Sequence, residues 1–308
     1  MTGTGYNSKP DVPCPPRLRV GVVGVGAMGM GVARALLAKD FDVTVRDIVA
    51  SRQDEAVAAG AHGASSAGEL AARVDIVVTL VVDAGETREV LFGSGGIAAA
   101  AGHCVVMMCS TISPSDTEEI AGRLGAVPML DAPISGGPAR AHAGAISMMA
   151  SGPDGAFERC MPVIEAMTAK CFRIGDKPGD GSRMKVVNNM LAAANLAAGC
   201  EAMAMASRLG LSLRQVADVV NASSGGSWIF ADRMARALEG DYAPRAAARV
   251  LLKDVGLFVG EARNLGLTAP MAECAREIFH DTVARGFAEE DDAAVLKRYA
   301  EAWGVELR

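Results

Sequence analysis

The sequence predicts an α/β protein: a domain built on a doubly wound, mainly parallel sheet, then an all-helical domain joined to it by one long helix. Three observations carry that expectation. Short apolar runs alternate with amphipathic segments from residue 18 to about residue 176. A glycine-rich turn separates the first run from the first amphipathic segment. After Gly181 the strand-like runs stop, and a stretch free of proline begins. The 308 residues suit about two domains, each large enough for its own core.

Residues 1–17, MTGTGYNSKPDVPCPPR, carry four prolines and no apolar centre, so they read as a disordered leader and not as a signal peptide. The expected strands are RLRVGVVG (17–24), VTVRD (43–47), VDIVVTLV (74–81), HCVVMMCS (103–110), VPMLDAP (127–133), ISMMASG (146–152) and KCFRIG (170–175). Most are apolar on both faces, as in a parallel sheet covered by helices on each side. These elements define a first domain over 18–181 and a helical one over 182–308. Between Ser182 and Leu209 the only glycine is Gly199, which predicts a single helix of roughly 40 Å at the usual rise per residue. Further helices are expected in LRQVADVVNA, SWIFADRMARAL, PRAAARVLLKDVGLFVGEARNLG, APMAECAREIFHDTVARG and DDAAVLKRYAEAW.

Several function classes are excluded. Thirty basic against thirty-six acidic residues give a net charge of −6, with neither sign in long runs, which argues against nucleic acid or an anionic membrane as partner. No stretch is an uninterrupted 18-residue apolar span. The seven cysteines are odd in number, scattered and never in C-x-x-C spacing, as expected of free thiols in a reducing cytoplasm. His62, His103, His142 and His280 stand apart, with no H-E-x-x-H, so no metal site is expected. There is no G-x-S-x-G elbow.

Two constellations point to chemistry. In GVVGVGAMGMGVARALL, Gly24, Gly26 and Gly29 stand in G-x-G-x-x-G spacing, with Ala27 and Met28 between the last two. The apolar strand before and the helix after make this a Rossmann-type dinucleotide turn: one glycine for the turn, one for approach of the pyrophosphate, one for helix packing. Asp47 ends the second strand, where a carboxylate accepts hydrogen bonds from ribose hydroxyls and repels a 2′-phosphate, favouring NAD; Arg46 and Arg52 nearby leave NADP open.

The second constellation is polar groups at strand ends. Ser135, Gly136 and Gly137 follow an apolar strand in DAPISGGPARAHAG, offering a hydroxyl and two backbone N–H groups to a carboxylate, or simply making a turn. CSTISP (109–114) is a second such loop, or a helix cap. In a parallel sheet both join the glycine turn at one edge. On the long helix, Lys185 and Asn189 are four residues apart and share a face, with Asn188 alongside. A lysine so placed is either an ordinary surface cation or, once buried, a proton donor and acceptor near neutral pH.

With these residues in view, the chain resembles the β-hydroxyacid dehydrogenase family over about residues 18–303, through GVGAMGMG, STISP, DAPISGGPARAHAG, GDGSRMKVVNN and LLKDVGL. The resemblance implies that Lys185 is the general acid/base, that Asn189 orients the substrate and that the Ser135–Gly137 loop holds its carboxylate. It further implies that Thr111 and Lys253 contact the cofactor near the nicotinamide and that Val82 and Asp83 lie beside the dinucleotide. It also implies a small hydroxy-acid substrate and a homodimer or homotetramer built partly on the helical domain. SWIFADRM (227–234), EGDYAPR (239–245) and EEDDAAVLK (289–297) look most like the branch acting on four-carbon sugar acids such as L-threonate. The Asn188-Asn189 pair is instead similar to enzymes of 3-hydroxyisobutyrate and tartronate semialdehyde. Retention of Lys185 speaks against the remaining alternative, a non-enzymatic NAD(P)-binding interaction protein.

Overall fold

In a computed structural model that describes residues 17–307, the chain forms one sheet from strands β1 (Arg19–Val23), β2 (Asp42–Arg46), β3 (His62–Gly63), β4 (Ile76–Thr79), β5 (Val105–Met108), β6 (Met129–Asp131), β7 (Ile134–Ser135), β8 (Ile146–Ser151) and β9 (Thr168–Gly175). The expected leader lies outside the described residues except for Arg17. The strand order is β3-β2-β1-β4-β5-β6-β8-β7, with β9 also paired to β8. β3 through β6 are parallel, whereas β8 runs antiparallel to β6 and β7. This is the doubly wound Rossmann-type arrangement, extended at one edge by a mixed segment.

Alternate residues of the central strands enter different cores. Val22, Val78 and Met107 pack into one buried cluster, and Val23, Val77, Val106 and Met108 into another. Burial of both faces is why these strands read as unbroken apolar runs. The sequence does not predict β3 and β7, because two residues are too few to show alternation. Ser135, predicted to follow a strand, instead lies on β7, paired with Ser147.

The long helix runs from Asp180 to Arg208, 29 residues and about 43 Å at 1.5 Å per residue. By length and hydropathy it would suffice to cross a bilayer, but its buried residues form the centre of the helical core. Ala193, Leu196, Cys200 and Met203 pack there against the helices Leu213–Asn221, Trp228–Ala237, Ala248–Asn264, Pro270–Thr282 and Val295–Trp303. The helix predicted from Pro244 begins only at Ala248, because Arg245 N donates to the Asp291 carboxylate and Ala247 pairs with Asp291 as an isolated bridge.

Where the long helix starts, it is fastened to the sheet. The buried Asp131, at the end of β6, accepts from Gly179 N and Ser182 N at 2.9 Å through Oδ2, and from Ser182 Oγ at 2.9 Å through Oδ1. Gly181 fits beneath because it lacks a Cβ, which would stand 2.4 Å from Met149 O. Lys185 therefore sits one turn beyond a rigid anchor.

Candidate active site

The loops after β1, β4 and β5, together with β7 and the turn at its end, meet at the C-terminal edge of the sheet, facing the long helix and the helix Ala248–Asn264. Together they enclose a cleft of about 870 Å³. Gly26, Ala27, Met28, Gly29, Val82 and Thr111 line it on the sheet side. Ser135, Gly136 and Gly137 line it further along, and Lys185, Asn189 and Lys253 close the opposite wall.

The three glycines of the first turn have different duties. At Gly24 φ is +88°, and a Cβ would lie 2.5 Å from Leu80 O; at Gly29 it would lie 1.9 Å from Gly24 O. Both are demanded by the protein's own packing. A Cβ on Gly26 would meet nothing nearer than Arg52 Nη1 at 3.9 Å, so here the protein leaves open space. That open space beside the N-terminal turn of the helix Ala27–Leu37 fits a dinucleotide diphosphate lying against the backbone.

Gly24, Asp47 and Asp83 do not line the cleft. Asp47 is buried, and its oxygens accept from Val25 N and Val49 N, each at 2.8 Å. It braces the glycine turn against the end of β2, and any ribose contact must share oxygens already bonded to backbone. Asp83 caps the helix Ala84–Phe92 by accepting from Glu86 N at 2.9 Å. The Asp83 carboxylate is thus engaged in helix capping through Oδ1, while its neighbour Val82 lines the cleft.

In the CSTISP loop the duties divide. Ser113 caps the next helix, and Ser110 Oγ accepts from Val81 N at 3.1 Å. The Thr111 carbonyl accepts from Lys253 Nζ at 2.6 Å, a direct bond from the sheet side to the helical side. Lys253 Nζ also lies 2.8 Å from Asp254 Oδ1.

Asp254 lines the cleft and is a residue that the sequence does not single out. Its buried Oδ2 accepts from Asn189 Nδ2 at 2.7 Å, and Asn188 Nδ2 in turn donates to Asn189 Oδ1 at 3.1 Å. The amide pair of the long helix is thereby oriented by a carboxylate 65 positions away. Lys185 is only 7% exposed. Burial lowers its pKa from 10.5 to about 8; the Asp254 charge opposes that shift and the Lys253 charge adds to it. A lysine near 8 exchanges its proton readily at neutral pH.

Beyond Asn189 the wall mixes apolar residues such as Ala192, Ile229 and Leu251 with polar ones. Asn195, Arg233 and Asp292 line it, and Arg233 is ion-paired with Asp292. Burial pushes the Asp292 carboxyl up to about 6 against the pull of Arg233. The nearest sequence signal is the polar content of SWIFADRM and EEDDAAVLK, whose meeting no local pattern shows.

A glycine turn open to a diphosphate, across a cleft from a buried lysine of lowered pKa, is the setting of an NAD(P)-dependent oxidoreductase acting on CH–OH groups. Comparison with known proteins agrees. Residues 19–175 match the NAD-binding domain of 6-phosphogluconate dehydrogenase, and residues 179–299 match the NAD-binding region of NADP-dependent 3-hydroxyisobutyrate dehydrogenase. The chain belongs to the β-hydroxyacid dehydrogenase family. It is 40% identical to L-threonate dehydrogenase of Escherichia coli K12 over 91% of this chain and 94% of that one. It is 32% identical to 2-(hydroxymethyl)glutarate dehydrogenase of Eubacterium barkeri, over 94% and 97%. Among solved structures, the crystal structure of 3-hydroxyisobutyrate dehydrogenase from Salmonella typhimurium is 42% identical with a TM-score of 0.85, covering 91% of this chain and 99% of that one.

Proposed function

We propose that this enzyme oxidises and reduces a four-carbon sugar acid such as L-threonate, with NAD preferred and Lys185 as general acid and base. The observation that carries the reading is the setting of Lys185: a buried amine with pKa about 8, on the wall of the cleft opposite the glycine turn. Bound NAD supplies the hydride acceptor. Lys185 Nζ, when neutral, takes the proton of the substrate hydroxyl as the carbon gives up hydride, and returns it in reduction. Asn189, aimed by Asp254, holds a substrate oxygen in place. Ser135 and the backbone N–H groups of Gly136 and Gly137 receive the carboxylate.

Two observations favour a polyhydroxy acid. The wall beyond Asn189 includes Asn195, Arg233 and Asp292, whose polar atoms can partner hydroxyls. Relatives at about 40% identity over nearly the whole chain bear the name L-threonate dehydrogenase. The second reading, 3-hydroxyisobutyrate or tartronate semialdehyde as substrate, draws on the Asn188-Asn189 pair and on the name of the Salmonella typhimurium structure. Exposed Met184, Val187 and Leu191 on one side of the long helix support a homodimer or homotetramer. The six cysteines among the described residues are all free, in keeping with the cytoplasm.

The deciding experiment follows NADH absorbance with L-threonate, 3-hydroxyisobutyrate and D-glycerate, each with NAD and with NADP. The highest kcat/KM is expected for L-threonate with NAD. A preference for 3-hydroxyisobutyrate or D-glycerate would overturn the substrate, and inertness of the folded enzyme towards all three would overturn the reading.

A further inference from the structure

Most cations along the cleft are neutralised by carboxylates. Arg233 is paired with Asp292 and Asp232, Arg245 with Asp241, Arg249 with Glu289 and Lys253 with Asp254. Arg52, Lys185 and Arg140 have no carboxylate partner among the described residues. Lys185 is the buried amine already described, and Arg52 stands over Gly26 on the dinucleotide side. That leaves Arg140 as the unpaired cation on the substrate side.

Its position is defined from two directions. A Cβ on Gly136 would lie 2.9 Å from Arg140 Cδ, so the arginine stem runs directly beside the Ser135–Gly137 segment. Its guanidinium carbon stands 5.1 Å from the ring centroid of Trp228, which belongs to the helical side and also lines the cleft. An arginine stacked on an indole face keeps the N–H groups at its edge free and pointing within the guanidinium plane, the geometry that meets a carboxylate with two parallel hydrogen bonds.

We propose that Arg140 is a specificity-determining residue that pairs with the substrate's carboxylate, its guanidinium held in aim by the ring of Trp228 across the cleft. This rests on the hydroxy-acid reading above. Backbone N–H groups and one hydroxyl favour a carboxylate over a neutral amide through hydrogen bonds alone, whereas a guanidinium adds the attraction of its full charge for the anion. Because stem and stacking partner come from opposite walls, the charge contact also requires the two walls to be in apposition when the acid binds.

The test uses the full-length enzyme with NAD, comparing L-threonate with its uncharged amide, L-threonamide. Arg140 and Trp228 are both exposed on their domains' surfaces, and thermal melting of Arg140→Ala, Arg140→Lys and Trp228→Ala checks that they fold. Arg140→Ala should raise KM for L-threonate by roughly 10- to 100-fold, the range of a charge-assisted hydrogen-bonded contact, with KM for NAD and the pH midpoint of the rate unchanged. The amide should be affected about two-fold or less, which a merely structural role would not predict. Arg140→Lys should recover part of the loss, and Trp228→Ala should reproduce part of it. A KM for L-threonate unchanged in Arg140→Ala, or an equal rise for acid and amide, would overturn the proposal while leaving the dehydrogenase reading intact. If the unmodified enzyme turned over no hydroxy acid, that reading would fail first and carry this proposal with it.

Discussion

Lys185 lets stability and activity be read from one side chain. Its pKa in the folded chain is about 8, against 10.5 when unperturbed, and each unit corresponds to about 1.4 kcal/mol, so burying the charged form costs roughly 3 kcal/mol. The sign follows from proton counting. Between pH 8 and 10.5 the unfolded chain holds more protons than the folded one, so stability rises with pH across that window. Below pH 8 both forms are charged and the whole cost is present. Replacing Lys185 by Met, apolar and of comparable length, should therefore stabilise the protein by up to ~3 kcal/mol at pH 7, and by much less at about pH 9.5.

The same substitution should remove catalysis. On the proposed mechanism the neutral amine is the base in the oxidation direction, and kcat/KM of wild type should rise with pH through a single ionisation near 8. Lys185→Met should lower kcat by roughly 10²- to 10⁴-fold, abolish that ionisation and leave NAD binding intact. Urea unfolding at the two pH values and NADH formation across the range provide the measurements. A variant less stable at pH 7 would show that burial of the lysine carries no such cost, and a variant retaining the ionisation would place the base elsewhere.

Asp254→Asn keeps an acceptor for Asn189 but removes the charge that raises the Lys185 pKa, so the midpoint of the pH profile should fall below 8; an unchanged midpoint would refute the coupling. Asp131→Ala strands Gly179 N and Ser182 N without acceptors and should destabilise by about 2 kcal/mol or more, whereas Asp131→Asn, with one oxygen still facing both amides, should lose less by thermal melting and keep kcat. For the cofactor, Ile48→Arg is the informative change: Ile48 is 89% exposed beside Asp47, and an arginine there should shift the NADP/NAD ratio of kcat/KM upward by about tenfold. Asp47→Ala would be a poorer probe, since it also strips Val25 N and Val49 N of their acceptor, and a drop in Tm should accompany any change in cofactor preference.

The features legible in the sequence are local ones. Central strands such as β1, β4 and β5 show because both their faces are buried, and the glycine turn because its glycines stand close together directly after β1; β9, with no buried residue, shows by its composition alone. Lys185 and Asn189 show because four residues is one helical turn. The capping role of Asp83, whose side chain accepts from Glu86 N, is a local feature of the same kind. Asp254 cannot be assigned its partner, because nothing near it in sequence indicates that it will face Asn189. The same holds for Arg140 and Trp228, which belong to different walls of the cleft.

These nonlocal contacts also explain why one helix can serve two domains. Asp131 fixes its first turn to β6, and three residues after Ser182 stands Lys185. Further along, Asn189 is held by Asp254, whose neighbour Lys253 reaches back to the Thr111 carbonyl on the sheet. The helix is thus tied to the sheet at both ends of the segment that bears the amine, once by its own backbone and once through the helix Ala248–Asn264. A displacement of either tie would move Lys185 relative to the glycine turn. Proton transfer that accompanies hydride transfer tolerates little such movement, since a misplacement of about 1 Å can cost a hundredfold in rate. On the proposed mechanism the buried carboxylates Asp131 and Asp254 therefore act as positioning residues, the first by geometry alone and the second by geometry and charge together.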